Sequence, residues 1–255
     1  MAILNYQQQG SGQDIVLIHG LLGSLENLNM VARGLKDNYR VTSVDVRNHG
    51  GSFHKNAMAY AELAQDIIEL LDHLNITQCA VLGHSMGGKI AMEIALSFPE
   101  RVTQLIVADI SPVPYPGHHQ QILAGLKSID LNAITSRKEA DAQLTPYVKE
   151  AGVRQFLLRN LTSVSGKWQF KCNLDNIINC YPQIIMGYEG NHQFNGPTLF
   201  IKGSESDYIL PKYRERIIEL FPNSQAKIIQ GTGHWLHSEK SNVFNKIVLD
   251  FLNKH

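Results

Sequence analysis

Six short runs of aliphatic and β-branched residues recur along the chain, and each is continuous rather than alternating. DIVLIHG (14–20), YRVTSVDV (39–46), CAVLGHS (79–85), VTQLIVADI (102–110), PTLFIKG (197–203) and AKIIQG (226–231) all read as strands. A strand with one face in water alternates apolar and polar side chains, whereas a strand covered on both faces does not. These runs therefore predict a parallel sheet with helices on both sides. Helical patterns lie between them. Leu63, Ile67, Leu70, Leu71 and Leu74 recur at helical spacing across 59–74. Residues 86–98 are rich in Ala, Met, Ile and Leu and stop at Pro99, and 213–221 and 243–252 repeat the pattern. Strands alternating with helices predict a doubly wound, mostly parallel α/β sheet with right-handed crossovers.

The alternation breaks after Ser111. SPVPYPGHH (111–119) is a proline-rich exit from a strand. Apolar residues then recur in three amphipathic stretches: Ile122, Leu123, Leu126 and Ile129; Val153, Phe156, Leu157 and Leu161; Leu174, Ile177 and Ile178. No strong strand pattern returns before Pro197. The expected organisation is a core of residues 1–111 and 191–255, with a helical cap of residues 112–190 inserted in one crossover. Such an insertion sits over the carboxyl ends of the strands, where open α/β sheets bind ligands.

With 44% apolar residues in 255, the chain can bury a core of that size. The formal charge is zero and no basic stripe stands out, which argues against a nucleic-acid partner. The first residues, MAILNYQQQGSGQ, lack a basic region followed by an apolar stretch. No apolar run approaches the roughly 18 residues of a membrane span. A soluble, cytoplasmic protein with no stable membrane insertion is expected, and nothing in the sequence signals an oligomeric state. Cys79, Cys172 and Cys180 are odd in number and lack metal-ligand spacing, so they read as reduced thiols filling space.

Within VLGHSMGGK (81–89) the pentapeptide GHSMG matches G-x-S-x-G. The pattern alone is weak and could be a glycine-bounded helix start. Its setting is demanding, because it closes a strand and opens a helix, as a nucleophile elbow must. A sharp turn there leaves room only for small residues two positions either side of Ser85, and these are Gly83 and Gly87. A serine hydroxyl is a poor nucleophile without a base and a group that orients the base. In this arrangement the histidine follows the last strand, and GTGHWLH (231–237) supplies His234, favoured by position over His237. His19, His49 and His84 stand at strand ends and could border the site. Two backbone amides should receive the oxyanion: Met86, at the helix start, and Leu21, in HGLLGS (19–24).

HGLLGS, DVRNHGGS, GHSMGGK, ADISPV and GTGHWLHSEK occur in the order found in α/β-hydrolases. Over nearly the whole length the chain resembles the small bacterial YbfF-type esterases, a group related to the abhydrolase-11 proteins. The resemblance is firmest in the sheet and elbow and looser in the cap, where QFLLRNL and YPQIIMGY also fit. It implies the α/β-hydrolase fold. It also bears on the triad acid. Many α/β-hydrolases carry G-x-x-D after the strand corresponding to PTLFIKG, but here Ser206 holds that aspartate position and Asp207 comes one residue later. The family's other location, the end of the preceding strand, holds Asp109. Asp109 is therefore the preferred orienter and Asp207 the alternative, with Ser206 adding a hydrogen bond to Asp109 or His234.

These residues imply a serine esterase that needs neither metal nor organic cofactor and acts on a small-molecule acyl ester or thioester. An acyl-CoA thioesterase and a C–C bond hydrolase share the same triad, and a non-catalytic binding protein could share the fold. His19, Leu22, Phe156, Leu157, Trp168 and Trp235 are the expected substrate pocket. Arg154, Arg159, Lys167 and Lys171 give the cap positive charge that could meet an anionic leaving group, or could simply be a solvated face.

Overall fold

A computed structural model describes residues 2–254. The chain begins with β1 (Tyr6–Gln9) and β2 (Gln13–Ile18), then α1 (Asn29–Leu35), β3 (Tyr39–Val44), α2 (Tyr60–His73), β4 (Cys79–His84), α3 (Met86–Ser97) and β5 (Val102–Ala108). The segment after β5 holds α4 (Gln120–Lys127), α5 (Arg137–Leu144), α6 (Ala151–Leu157), a two-stranded hairpin of β6 (Leu161–Val164) and β7 (Lys167–Phe170), and α7 (Leu174–Ile184). The core then resumes with β8 (Thr198–Gly203), α8 (Arg214–Leu220), β9 (Ser224–Ile229), α9 (Leu236–Glu239) and α10 (Ser241–Leu252). Seven strands form one sheet in the order β1-β3-β2-β4-β5-β8-β9. All neighbours are parallel except β1, which runs antiparallel to β3 at the edge.

The continuous apolar runs are explained by what covers each face. In β2, Val16 and Ile18 join the cluster built on α2, α3 and α8, with Leu63, Ile67, Ile90 and Leu220. Their neighbours Ile15 and Leu17 join the opposite cluster, built on α1 and α10, with Val31, Leu35, Phe244 and Val248. The same split divides Val81 from Leu82 in β4 and Val107 from Ile106 in β5. A one-residue register slip would leave hydrophobic packing largely intact on either face of such a strand.

Three features differ from the sequence expectation. β1 reads YQQQ, a largely exposed strand with no apolar run to signal it, held by its ladder to Val41–Val44. α1 is only seven residues long and leaves too short a period to recognise. The inserted segment is not purely helical: Ser165 and Gly166, at φ 50° and 80°, make the tight turn of the β6–β7 hairpin. Otherwise α4, α6 and α7 fall on the three amphipathic stretches. Their buried residues Leu123, Leu126, Leu157 and Ile177 belong to the same apolar cluster as α2 and α3. Cys79, Cys172 and Cys180 are free and buried, and burial pushes the thiols of Cys79 and Cys172 up to about 12. Among the described residues, no helix is long and apolar enough to cross a membrane.

The loop after β3 is tied to α2 by a buried ion pair. Arg47 donates from Nε to Asp66 Oδ2 at 2.5 Å and from Nη2 to Oδ1 at 2.7 Å, and both side chains are at most 5% exposed. The guanidinium also donates to the carbonyls of Ala57 and Glu62. This bidentate pair is sound only while both charges are present. Asp66→Ala leaves the guanidinium buried and unpaired, and urea denaturation should show a loss of about 3–5 kcal/mol. An apolar double substitution of Arg47 and Asp66 should lose much less, because neither charge is then stranded.

Candidate active site

One residue separates the end of β4 from the start of α3, and it is Ser85. Reversing the chain in that space forces Ser85 to φ 55° and ψ −120°, a region that side chains other than glycine avoid. Close backbone packing holds it there. A Cβ on Gly83 would overlap the Gly87 carbonyl, and one on Gly87 would overlap the Ile18 carbonyl. The Ser85 amide donates to the Ala108 carbonyl at 3.0 Å, and its own carbonyl accepts from Gly88 and Lys89 at 2.8 and 3.1 Å.

His234 lies in the loop after β9, and its Nε2 is 2.9 Å from Ser85 Oγ. Its Nδ1 is 2.7 Å from Asp109 Oδ2. A carboxylate only accepts, so Nδ1 carries the ring proton and Nε2 is left as the acceptor for the serine hydroxyl. Asp109 follows β5 directly, is fully buried, and has φ 53°. Its Oδ1 accepts from the Gly203 amide at 3.1 Å, and its Oδ2 also accepts from the Ser206 hydroxyl. Between the two candidate acids, it is Asp109 that faces His234; Asp207 is exposed and accepts no bond from the imidazole. Ser206 and His234 thus share Asp109 Oδ2. The ring of Tyr208 stacks on His234, with centroids 4.1 Å apart and planes at 27°.

Leu21 and Met86 border the same cavity as Ser85. Among the described residues, neither backbone amide has a protein acceptor, whereas the neighbouring Leu22 amide donates to His49 Nε2 at 3.1 Å. The Leu22 carbonyl accepts from Asn160 of the inserted segment at 2.6 Å. Leu22, at φ 58°, is thus pinned from both sides. Asn48, Ser85 and Asp109 share its left-handed backbone, and all four residues follow adjacent strands at one edge of the sheet. Strain concentrated at one end of a sheet is characteristic of a functional site.

Two cavities meet at Ser85. The larger, about 600 Å³, is bordered by His234 and by the expected pocket residues His19, Leu22, Phe156, Leu157 and Trp235. The smaller, about 30 Å³, runs under the inserted segment past Met86, Lys89 and Tyr115. Trp168 borders neither and is corrected here: it sits on β7, where its ring packs on the core and Arg137 lies 5.9 Å from its centroid. His19 borders the larger cavity, but its ring is fully engaged, with Nδ1 donating to Gly20 and Nε2 accepting from Val46. Of the cap cations, Arg159 reaches the larger cavity. Arg154 is paired with Asp141 at 2.8 Å, and Lys167 and Lys171 border neither cavity. Tyr208, His118 and His119 border both cavities and were not foreseen; the histidines lie in the proline-rich exit, which offers no period to place them.

The chain aligns to the α/β hydrolase fold family over residues 15–132. It is 41% identical to the mouse sn-1-specific diacylglycerol lipase ABHD11 over 93% of this chain and 80% of that protein. It is 37% identical to Escherichia coli esterase YbfF over 97% of this chain and 96% of that protein. Among solved structures, a marine microorganism esterase superposes with a TM-score of 0.96 at 38% identity, covering 98% of this chain and all of that one.

Five more buried or half-buried histidines stand around His234 and the strand ends, and each is held toward its neutral form. Burial above all, with neighbouring histidines adding to it for every ring but His19, lowers His19 and His84 and brings His49 and His237 to about 3 and His119 to about 4. An unfolded histidine takes a proton near pH 6.5. Between pH 6.5 and about 4 the unfolded chain therefore binds more protons than the native one. Stability is fully present above pH 6.5 and falls as the pH drops, by about 1.4 kcal/mol per pH unit for each ring. Urea denaturation from pH 7.5 to 5 should show a slope equivalent to several protons, and a flat profile would contradict the assignment.

Proposed function

The chain belongs to the α/β-hydrolase family, and from that membership we propose that it is a serine hydrolase that cleaves carboxylic esters or thioesters through an acyl-enzyme. The observation that carries the reading is the continuous hydrogen-bonded line from Ser85 through His234 to Asp109. The relatives named as an esterase and a lipase support ester cleavage as the chemistry.

In the proposed mechanism Ser85 Oγ attacks the acyl carbon while its proton passes to His234 Nε2. Asp109 holds the imidazole in the productive tautomer and offsets the charge of the imidazolium. The buried amide of Gly203 and the hydroxyl of Ser206 hold that carboxylate in place beside the ring. The oxyanion is received by the amides of Leu21 and Met86, which have no protein acceptor of their own. Met86 opens α3, so the helix dipole adds to the attraction. As the tetrahedral intermediate collapses, the leaving oxygen or sulfur takes the proton from Nε2. Water then gives its proton to His234 and attacks the acyl-serine, releasing the acid and restoring Ser85. Residues 112–190 act as a cap that excludes bulk water from this centre, and Asn160 ties that cap to the oxyanion loop.

A serine-reactive fluorophosphonate should label the protein, and Ser85→Ala should abolish labelling and hydrolysis of nitrophenyl esters. Asp109→Asn should lower kcat by on the order of 10⁴-fold with the fold kept by circular dichroism, because the tautomer is no longer held. Asp207→Asn should leave kcat near the wild-type value. Equal labelling of wild type and Ser85→Ala would sink the reading, as would a loss of turnover in Asp207→Asn and not in Asp109→Asn.

A further inference from the structure

We infer that the acyl group lies in the smaller cavity and the leaving group in the larger, so that the protein selects an ester or thioester of a short-chain acid on a bulky alcohol or thiol. The inference rests on the serine-hydrolase reading and follows from which reacting groups face which cavity. Ser85 and Leu21 border both cavities. Met86 borders only the smaller and His234 only the larger. When the intermediate collapses, the bond from the carbonyl carbon to the leaving atom breaks. The electron pair stays on that atom, which takes a proton from Nε2. The leaving atom must then be within hydrogen-bond reach of Nε2, on the side that His234 borders. The acyl chain departs from the same carbon in another direction, and the space left to it is the smaller cavity.

That cavity limits the chain. Its volume is about 30 Å³, and since a water needs roughly 10–15 Å³ by this measure, it has room for about two or three non-hydrogen atoms. Its walls are braced rather than loose. The Tyr60 hydroxyl donates to the Ile184 carbonyl at 2.6 Å, and the Tyr115 hydroxyl to the Tyr208 carbonyl. The Lys89 ammonium donates to the carbonyls of Val113 at 3.0 Å, Ile185 at 3.3 Å and Met186. The Tyr60, Tyr115 and Lys89 donors are thus engaged within the protein, while Ile110 and Ile184 offer buried hydrocarbon. The larger cavity, about 600 Å³, falls in the range of small-molecule sites. Its aromatic pair, Phe156 and Trp235, stands 5.9 Å apart by ring centroids, so it suits a leaving group with apolar bulk.

Two crossed series test this. With nitrophenol as the fixed leaving group and acids of two to ten carbons, kcat/KM should peak at two to four carbons and fall at least about a hundredfold by eight, since each misfit methylene weakens transition-state binding by about tenfold or more. With acetate as the fixed acid, benzyl acetate should exceed methyl acetate, two alcohols of similar basicity. Ile185→Ala should move the acyl optimum to longer acids. Phe156→Ala should erase the benzyl preference and leave the acyl optimum in place. The wild-type series decides the matter even if either variant fails to fold. A protein that labels with fluorophosphonate at Ser85 yet hydrolyses the octanoyl ester as fast as the acetyl ester overturns the cavity assignment alone, as does a shifted acyl optimum in Phe156→Ala. Absent labelling together with absent hydrolysis of every ester overturns the serine-hydrolase reading beneath it.

Discussion

A serine at φ 55° and ψ −120° persists only where the surrounding backbone leaves it no alternative. At the β4–α3 turn that constraint is made by packing without side chains. Gly83 lies against the Gly87 carbonyl, and Gly87 against the carbonyls of Ile18 and His19. The contact brings the end of β2, the end of β4 and the first turn of α3 together within backbone reach. The proposed nucleophile, the proposed oxyanion loop and the helix N-terminus are thereby positioned by one contact. The parallel sheet makes the arrangement possible, because it ends β2, β4, β5 and β8 on the same edge. Asp109 reaches the Gly203 amide across that edge for the same reason.

Around this contact the polar groups are satisfied in a way that keeps them uncharged. His19 spans from Gly20 to Val46 and His49 from Arg47 to Leu22, each using one ring nitrogen as donor and the other as acceptor. An imidazolium has no acceptor nitrogen, so protonation would break one bond of each bridge. Burial opposes the same protonation from the side of solvation. Geometry and electrostatics therefore favour the same state. These rings act as rigid ties between strand ends, which accounts for histidines in HGLLGS and DVRNHGGS that never face solvent. His84 does similar work at the other side, donating to the His234 carbonyl at 2.8 Å.

The parts that were legible in the sequence are those with a period or a steric signature. Continuous apolar runs announce strands covered on both faces, and Gly83 and Gly87 announce the turn that Ser85 needs. His234, the first histidine after the last strand, meets Ser85 and Asp109, whereas His237 is buried against His84 and Phe244. Other features had no such signature. β1 is held by a backbone ladder, which leaves no mark on its glutamines. For the acid, the resemblance prefers Asp109 and leaves Asp207 as the alternative, because both stand in loops after strands and only the folded sheet shows which one faces His234. Once Ser206 is seen donating to Asp109, the serine in GSESD becomes intelligible: it supports the carboxylate instead of supplying one. Trp168 misled because an aromatic residue in a cap reads equally as pocket or packing, and the hairpin turn at Ser165–Gly166 decides for packing.

The inserted segment is bound to the sheet by more than apolar contact. Its entry loop passes Val113 and its exit passes Ile185 and Met186, and the ammonium of Lys89 donates to all three carbonyls. Lys89 stands one helical turn beyond Ser85, so the helix that Ser85 opens holds both ends of the insertion. Among the described residues no carboxylate pairs with it; burial lowers the ammonium to about 7, and the rings of Tyr60 and Tyr115 stand 5.6 and 4.8 Å from it. An amide or hydroxyl could not serve three carbonyls at once, because only an ammonium carries three donors on one atom. Hydrophobic burial alone would let the insertion slide over the sheet, since it is non-directional. A three-donor clasp rooted in α3 is directional, and it fixes the roof of the cavity relative to Ser85 by the same helix that the elbow fixes relative to the sheet.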